Sequence, residues 1–261
     1  MSGTSRLDYA YAVGRIRALE NWLVAKPFFV EAAEEKDLAS ALKVIFDAGR
    51  FHQEKIEIHD SDQLDAFLEI EESLLRALVS SLLPDKDMAR IVSGTDRADQ
   101  VLSLSRELNI PFITAYLRHK IDLGNLKILC RVKYLGVSRE RLDESLLEGG
   151  FLDENFLREG FDLSYGEMAE KLHASPYHAT WILATDELVE KDSFIVLDRE
   201  FENFLMSYLK KAKYFVFGPE PIFAYVQAKK IEMQLFRLLG VGMLNQIPSD
   251  LLKQRMSETY V

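Results

Sequence analysis

Apolar residues recur every three or four positions along most of this chain and almost nowhere at every second one. Ile113, Leu117, Ile121, Gly124, Ile128, Val132 and Leu135 step by 4, 4, 3, 4, 4 and 3, one continuous face of an α-helix. Pro111 opens that helix and Gly136 closes it. An earlier helix carries Tyr9, Val13, Ile16, Leu19 and Leu23, is entered through Ser5-Arg6-Leu7-Asp8 in the form of a capping box, and is interrupted by Pro27. Residues 28–49 read as helical, with a break at Lys36-Asp37 and a stop at Gly49. Phe51 to Asp60 reads as a loop or a short helix. Helices follow from Asp62 to a point before Pro84, from Asp85 to Ile91, and from Asp96 to Leu108. Ser138 caps a helix that Gly149-Gly150 ends, and shorter helices fill 153–212 with turns around Gly166, Ser175-Pro176 and Asp192-Ser193. A second long helix runs from Pro221 to about Gly240, and Ile247-Pro248-Ser249-Asp250 leads into a last short one.

The two long helices are copies. At an offset of 110 places Pro111 meets Pro221, Lys120 meets Lys230, Ile121 meets Ile231 and Leu129 meets Leu239. Asp122 meets Glu232, Lys127 meets Arg237, and Leu142 in the following short helix meets Leu252. The repeating unit is therefore a long helix, a tight turn and a short helix. A helix of about 24 residues reaches about 36 Å, the length of a strut or wall. Ala10-Tyr11-Ala12 resembles Ala224-Tyr225-Val226, which makes the N-terminal helix a partner or a degenerate third copy.

Composition agrees with helix. Over 261 residues there are only 13 Gly and 7 Pro, too few for the turns of an all-β chain, and 48% apolar with 28% charged residues describes a globular protein with a sizeable core. The balance of 42 acidic against 32 basic residues gives −10, a field that disfavours nucleic acid and anionic lipid surfaces. Within it the repeated helices are locally basic: Arg118, Lys120, Lys127, Arg131 and Lys133 accompany Asp122, and Lys229, Lys230 and Arg237 accompany Glu232. The acidic excess lies at 31–37, 57–72 and 140–159. The lone cysteine, Cys130, sits among Ile128, Leu129 and Val132 and reads as a small buried hydrophobe in a reducing cytoplasm. The N-terminus has no apolar signal-peptide core, and the longest apolar run, from Tyr214, is broken by Gly218, Pro219, Glu220 and Pro221, so no membrane span is expected.

Motifs for chemistry are missing. There is no G-x-x-x-x-G-K-[ST], no G-x-S-x-G, and Gly240-Val241-Gly242 follows no strand. Asp60-Ser61-Asp62 with Glu71 imitates a calcium loop, but Leu64 and Asp65 stand where an oxygen ligand and a turn glycine are required, so it reads as a solvated helix start. His52, His59, His119, His173 and His178 include no i, i+4 pair, and His119 reads as a surface residue. Glu71-Glu72 reads as solvent-facing. Asp122 and Asn125 share a helix face and read as hydrogen-bonding ties between neighbouring helices. The expectation is a chain with no catalytic residue, cofactor or metal.

Three passages in order, YAYAVGRIRALENWL, YLRHKIDLGNLKILCRVKYLG with the following LLEGG, and GPEPIFAYVQAKKIEMQLFRLLGVGMLNQIP, resemble the C subunits of the prokaryotic A/V-type rotary ATPases, the counterparts of the d subunit of eukaryotic vacuolar ATPases. The resemblance implies an all-α, funnel-like body of three similar helical units: 1–108, 109–212 and 213–261, the last packing with the N-terminal helix. It implies a non-catalytic central-stalk part on the cytoplasmic side of the membrane, joining the rotor shaft to the ring of proteolipid subunits for ATP-linked ion transport. One D-x-x-N-L helix is found, at Asp122–Leu126, plus the C-terminal copy, so the first unit is expected either to be abbreviated or to hold a diverged copy. Candidate shaft-binding residues are Arg15, Arg17, Arg118, Lys127, Arg131, Lys230 and Arg237, and the turns 136–138 and 245–247 are candidates for the ring-facing end. Two rival classes are a helical-repeat scaffold for protein ligands, whose period of about 34–47 residues is far shorter, and a helical enzyme with a buried polar pocket.

Overall fold

Helices supply all the regular structure among the residues that the computed structural model describes, which are 6–51, 58–83, 85–94 and 97–261. After a 3-10 turn at Arg6–Tyr9 come α1 (Ala10–Glu20), α2 (Lys26–Ala32), α3 (Leu38–Ala48), α4 (Ser61–Leu82) and α5 (Lys86–Ser93). Next are α6 (Ala98–Glu107), α7 (Pro111–Tyr134), α8 (Arg139–Ser145), α9 (Glu154–Gly160), α10 (Tyr165–Lys171) and α11 (His178–Lys191). The last are α12 (Ile195–Lys210), α13 (Glu220–Leu244) and α14 (Ser249–Arg255). The expected all-α class holds. Ser5 of the expected capping box, residues 52–57 of the loop-or-helix segment with His52, and Pro84 are outside the described residues.

Local chemistry explains where these helices begin. The carboxylates of Asp37, Asp60 and Asp85 accept the N–H groups of Ser40, Gln63 and Met88 at 2.8, 2.8 and 2.9 Å, each satisfying an orphan donor of a first turn. Asp60 is thus a helix cap, as its setting suggested. Ser164 and Glu167 form a reciprocal capping box at α10. Prolines occupy the first turns of α2, α7 and α13, where a missing N–H is harmless.

The chain divides into two compact units, Met1–Asp96 with Met206–Val261, and Arg97–Leu205. In the first, α13 packs against α1, α2, α3, α4 and α5. Phe46, Phe51, Phe67 and Phe236 bring their rings within 5.0–6.0 Å of one another there. Gly240 and Gly242 let α13 approach closely, since a Cβ would come to 2.7 Å from Leu64 and 2.3 Å from Leu252. In the second unit α7 packs against α6, α8 and α9, and Leu126, Leu129, Leu142, Leu157 and Trp181 are buried. The burial of α7 is broader than the single stripe expected. Phe112, Tyr116, Leu123, Leu126 and Leu129 are buried besides Ile113, Ile121 and Val132, because neighbours enclose the helix on several sides, while Leu135 is 69% exposed. Gly149-Gly150 does not end α8, which stops at Ser145; Gly149 lies against Leu102 of α6 and Gly150 against Asp122 of α7 instead. Gly166 is inside α10, and α13 continues four residues past Gly240.

The repeat extends to the backbone. Gly136 and Gln246, 110 places apart, take left-handed φ of +60° and +53°. The N–H groups of Val137 and Ile247 return to Val132 and Gly242 oxygens at 3.3 and 2.9 Å, and those of Gly136 and Gln246 to Lys133 and Met243 at 3.1 and 3.2 Å. Both long helices therefore close with the same Schellman motif. After it α8 and α14 correspond residue for residue, with Leu142 and Leu252 buried alike.

A third copy is present in α4 and α5. Shifting residue 71 onto 122 aligns Ile70-Glu71 with Ile121-Asp122 and Ile231-Glu232, Leu75 with Leu126 and Phe236, Arg76 with Lys127 and Arg237, and Leu78 with Leu129 and Leu239. The alignment carries on through the turn to Ile91, Leu142 and Leu252, all buried. Helix α4 has 22 residues, against 24 and 25 in α7 and α13. The long helix and its short follower are thus represented in the first segment. What differs is the turn: Asp85 caps α5 where Gly136 and Gln246 close their helices.

Substitutions at these closures test the account. Gln246→Gly removes a left-handed side-chain penalty and is expected to raise stability by about 0.5–1 kcal/mol, net of the entropy glycine gives the unfolded chain. Gly136→Ala is expected to lower it by about 1 kcal/mol. Urea denaturation followed by circular dichroism measures both, and equal midpoints for the three proteins would contradict the shared closure.

Candidate functional site

Each long helix buries one acid near its middle. Glu71, Asp122 and Glu232 are 3%, 0% and 2% exposed. This corrects the solvent-facing reading of Glu71; its neighbour Glu72 is the one that pairs near the surface, with Arg76 at 2.9 Å.

Asp122 is surrounded by donors. Its carboxylate accepts the N–H groups of Phe151 and Leu152 at 2.9 and 3.0 Å and the hydroxyl of Tyr177 at 2.6 Å. Burial pushes the carboxyl above its ordinary value, and these donors, with Arg118 nearby, hold it back. Tyr177 has one proton and spends it on Asp122, so the 2.7 Å contact with His119 is an Nδ1–H donating to the tyrosine oxygen. His119 is packed rather than superficial, its ring 4.9 Å from Phe151 and 5.3 Å from Phe204. One helical turn on, Asn125 donates to the Leu147 oxygen and accepts the Leu147 N–H, both at 2.8 Å. Asp122 and Asn125 are the expected ties, and what they hold is the loop between α8 and α9. Gly150 is required there, since a Cβ would sit 2.0 Å from Asp122 Oδ1.

Glu232 does the equivalent work in the other unit. One oxygen accepts the Val24 N–H at 2.6 Å and the other pairs with Lys229. Burial raises its carboxyl above the usual range, opposed by the Lys229 charge and the Val24 hydrogen bond. Lys229 also lies 4.2 Å over the Phe51 ring and donates to the Arg50 oxygen at 3.4 Å.

Most of the candidate basic residues are engaged by their own unit. Arg17 pairs with Glu20 at 2.7 Å and donates to the oxygens of Ala212, Lys213 and Phe215. Arg118 donates to the Gly149 and Gly150 oxygens and stacks 3.9 Å above Phe151. Lys127 and Arg131 share Asp198 at 2.6 and 3.5 Å. Lys230 donates to the Ser93 oxygen, and Arg237 pairs with Asp65 at 2.8 Å. The side chains of Arg131 and Arg237 remain about half exposed, at 51% and 53%. Arg15 is different: it lines a cleft with Arg50, Glu71 and Tyr225. The spacing argument found basic residues on repeated helices; it had no signal for which ones the chain consumes in holding its own loops.

Among the described residues no group of three or more His, Cys, Asp or Glu is placed to hold a metal ion, and no helix is long and apolar enough to cross a membrane. Cys130 is fully buried, as its apolar neighbours suggested, and burial pushes its thiol up to about 12.

Comparison with known proteins gives a consistent result. The family model described as ATP synthase (C/AC39) subunit matches residues 98–255, about three-fifths of the chain. The chain is 24% identical over 181 residues to the C subunit of the A-type ATP synthase of Archaeoglobus fulgidus, covering 67% of this chain and 51% of that one. It is 32% identical over 71 residues to the C subunit of the V-type sodium ATPase of Enterococcus hirae, covering 27% and 22% respectively. The chain thus spans about half the length of the first of these relatives.

Substitution and labelling test this geometry. Asp122→Ala strands two amides and a hydroxyl and is expected to cost about 2–4 kcal/mol, while Glu232→Ala leaves Lys229 buried without its anion and is expected to cost about 3–5 kcal/mol. Thermal denaturation reads both, and losses below about 1 kcal/mol would show that these acids are not structural. Cys130 is expected to resist a thiol reagent at pH 8 in the folded protein and react fully in denaturant; rapid labelling of the folded chain would overturn its placement.

Proposed function

The chain belongs to the ATP synthase (C/AC39) subunit family, and from that premise we propose that it is a non-catalytic coupling subunit of an A/V-type rotary ATPase. In this reading it links the rotor shaft to the proteolipid ring, peripheral to the cytoplasmic face of the membrane. The observation that carries the proposal is the threefold recurrence of a long helix with a buried central acid, a basic residue five places on and a short following helix. Equivalent walls suit a socket around an axle. Segments 1–108, 109–212 and 213–261 would each supply one, centred on α4, α7 and α13.

A part that passes torque is loaded sideways and must not yield, so its interfaces depend on shape more than on any single strong pair. The internal ties described above favour that use, because they fix loops to helices with hydrogen bonds shielded from water. For the shaft side we assign the half-exposed guanidiniums of Arg131 and Arg237. For the ring side we assign the two equivalent turns, where Val137 and Ile247 are 38% and 39% exposed.

Reconstitution tests this. Tagged chain, soluble ATPase head with its shaft, and the proteolipid ring are combined in vesicles. ATP-driven ion uptake is expected only when the chain is present, with ATP hydrolysis by the soluble head persisting in its absence. Retention of neither shaft nor ring on the tagged chain, or ATP turnover by the purified chain alone, would contradict the proposal.

A further inference from the structure

Between α1, α4 and α13 the first unit opens a cleft of about 660 Å³, within the range of about 300–1,000 Å³ typical of small-molecule sites. Its lining is divided by chemistry. Helix α4 contributes Leu74, Leu75 and Leu78, and α1 adds Leu19. Arg15 on α1 and Arg50 after α3, both exposed, line the same cleft. Neither forms an ion pair with any described residue, whereas the six other basic candidates are all held by their own unit. Two arginines without an ion-pair partner thus share one cleft with four leucines on a chain of net charge −10.

We propose that this cleft is a binding site for an amphipathic anion, a molecule with a carboxylate or phosphate head and an aliphatic body. The planar donors of Arg15 and Arg50 match either head bidentately. The body lies along Leu19, Leu74 and Leu78, exchanging apolar surface for water. Glu71 also lines the cleft, on its α4 side. Lys229 is committed to Glu232 and is not a head-group ligand. This site is independent of the assembly role.

The chain carries its own reporter. Trp22 lines the cleft and is 52% exposed, while the other tryptophan, Trp181, is fully buried in the second unit. Fluorescence of the full chain is titrated with dodecyl phosphate and with dodecanoate, each below its micelle concentration. A saturable change with both is expected, absent in Trp22→Phe. The Arg15→Ala/Arg50→Ala double variant is expected to weaken binding at least tenfold with an unchanged melting temperature. Ala77→Trp, an exposed α4 position that fills the cleft, is expected to abolish it in calorimetry. Saturation by inorganic phosphate with equal affinity would overturn the apolar half of the proposal. An equal response to dodecyltrimethylammonium, unchanged binding in the double variant, or displacement of the amphiphile by an acidic leucine-rich helical peptide at lower concentration would overturn the whole.

Discussion

An ionised carboxylate deep inside a protein is costly unless donors surround it, and here two of the three long helices visibly place their donors. Asp122 and Glu232, at matching positions, each draw a backbone N–H from a segment far along the chain: Phe151 and Leu152 in one case, Val24 in the other. The same acid that must be satisfied therefore fixes where a loop lies. Hydrophobic burial alone would tolerate sliding of such a loop along the helix, since apolar contact is non-directional. A charge-assisted bond in a low-dielectric interior does not. The rest of the architecture around these helices follows from that anchoring, including the glycine at 150, where any side chain would collide with the acid.

The repeat is thus a repeat of a physical device. A buried acid, an apolar ladder at i+4 and i+7 and a basic residue at i+5 recur with different residues, Leu75, Leu126 and Phe236 on the ladder and Arg76, Lys127 and Arg237 at the base, while the left-handed closing turn is shared by α7 and α13. The partners diverge more than the device. Lys127 reaches Asp198, Arg237 reaches Asp65 and Arg76 reaches Glu72. The Arg76 and Arg237 pairs are about half exposed, and pairs of that kind contribute little to stability, which leaves them free to vary.

Sequence periodicity located the long helices and most of those before them, because caps and prolines act within a few residues, while α9 to α12 were legible only as shorter helices within 153–212. Asp37, Asp60, Gly49 and Pro221 marked boundaries with chemistry that is local and therefore readable. Asp122 and Asn125 were readable as ties because polar residues three apart share one helix face. The third copy was hidden because only a handful of its positions are constrained, and Glu71-Glu72 looks like any exposed acidic pair until burial separates the two. The fate of the basic residues was equally hidden. Whether Arg118 faces a partner or the Gly150 oxygen depends on a loop more than 30 positions away, and helical spacing says nothing about that.

Backbone hydrogen exchange of the folded chain examines the anchoring most directly. The amides of Phe151, Leu152 and Val24, all outside regular helix, should exchange as slowly as those in the middle of α7 and α13. Exchange of these three at the rate of exposed loop amides would mean that the buried acids do not hold the chain together.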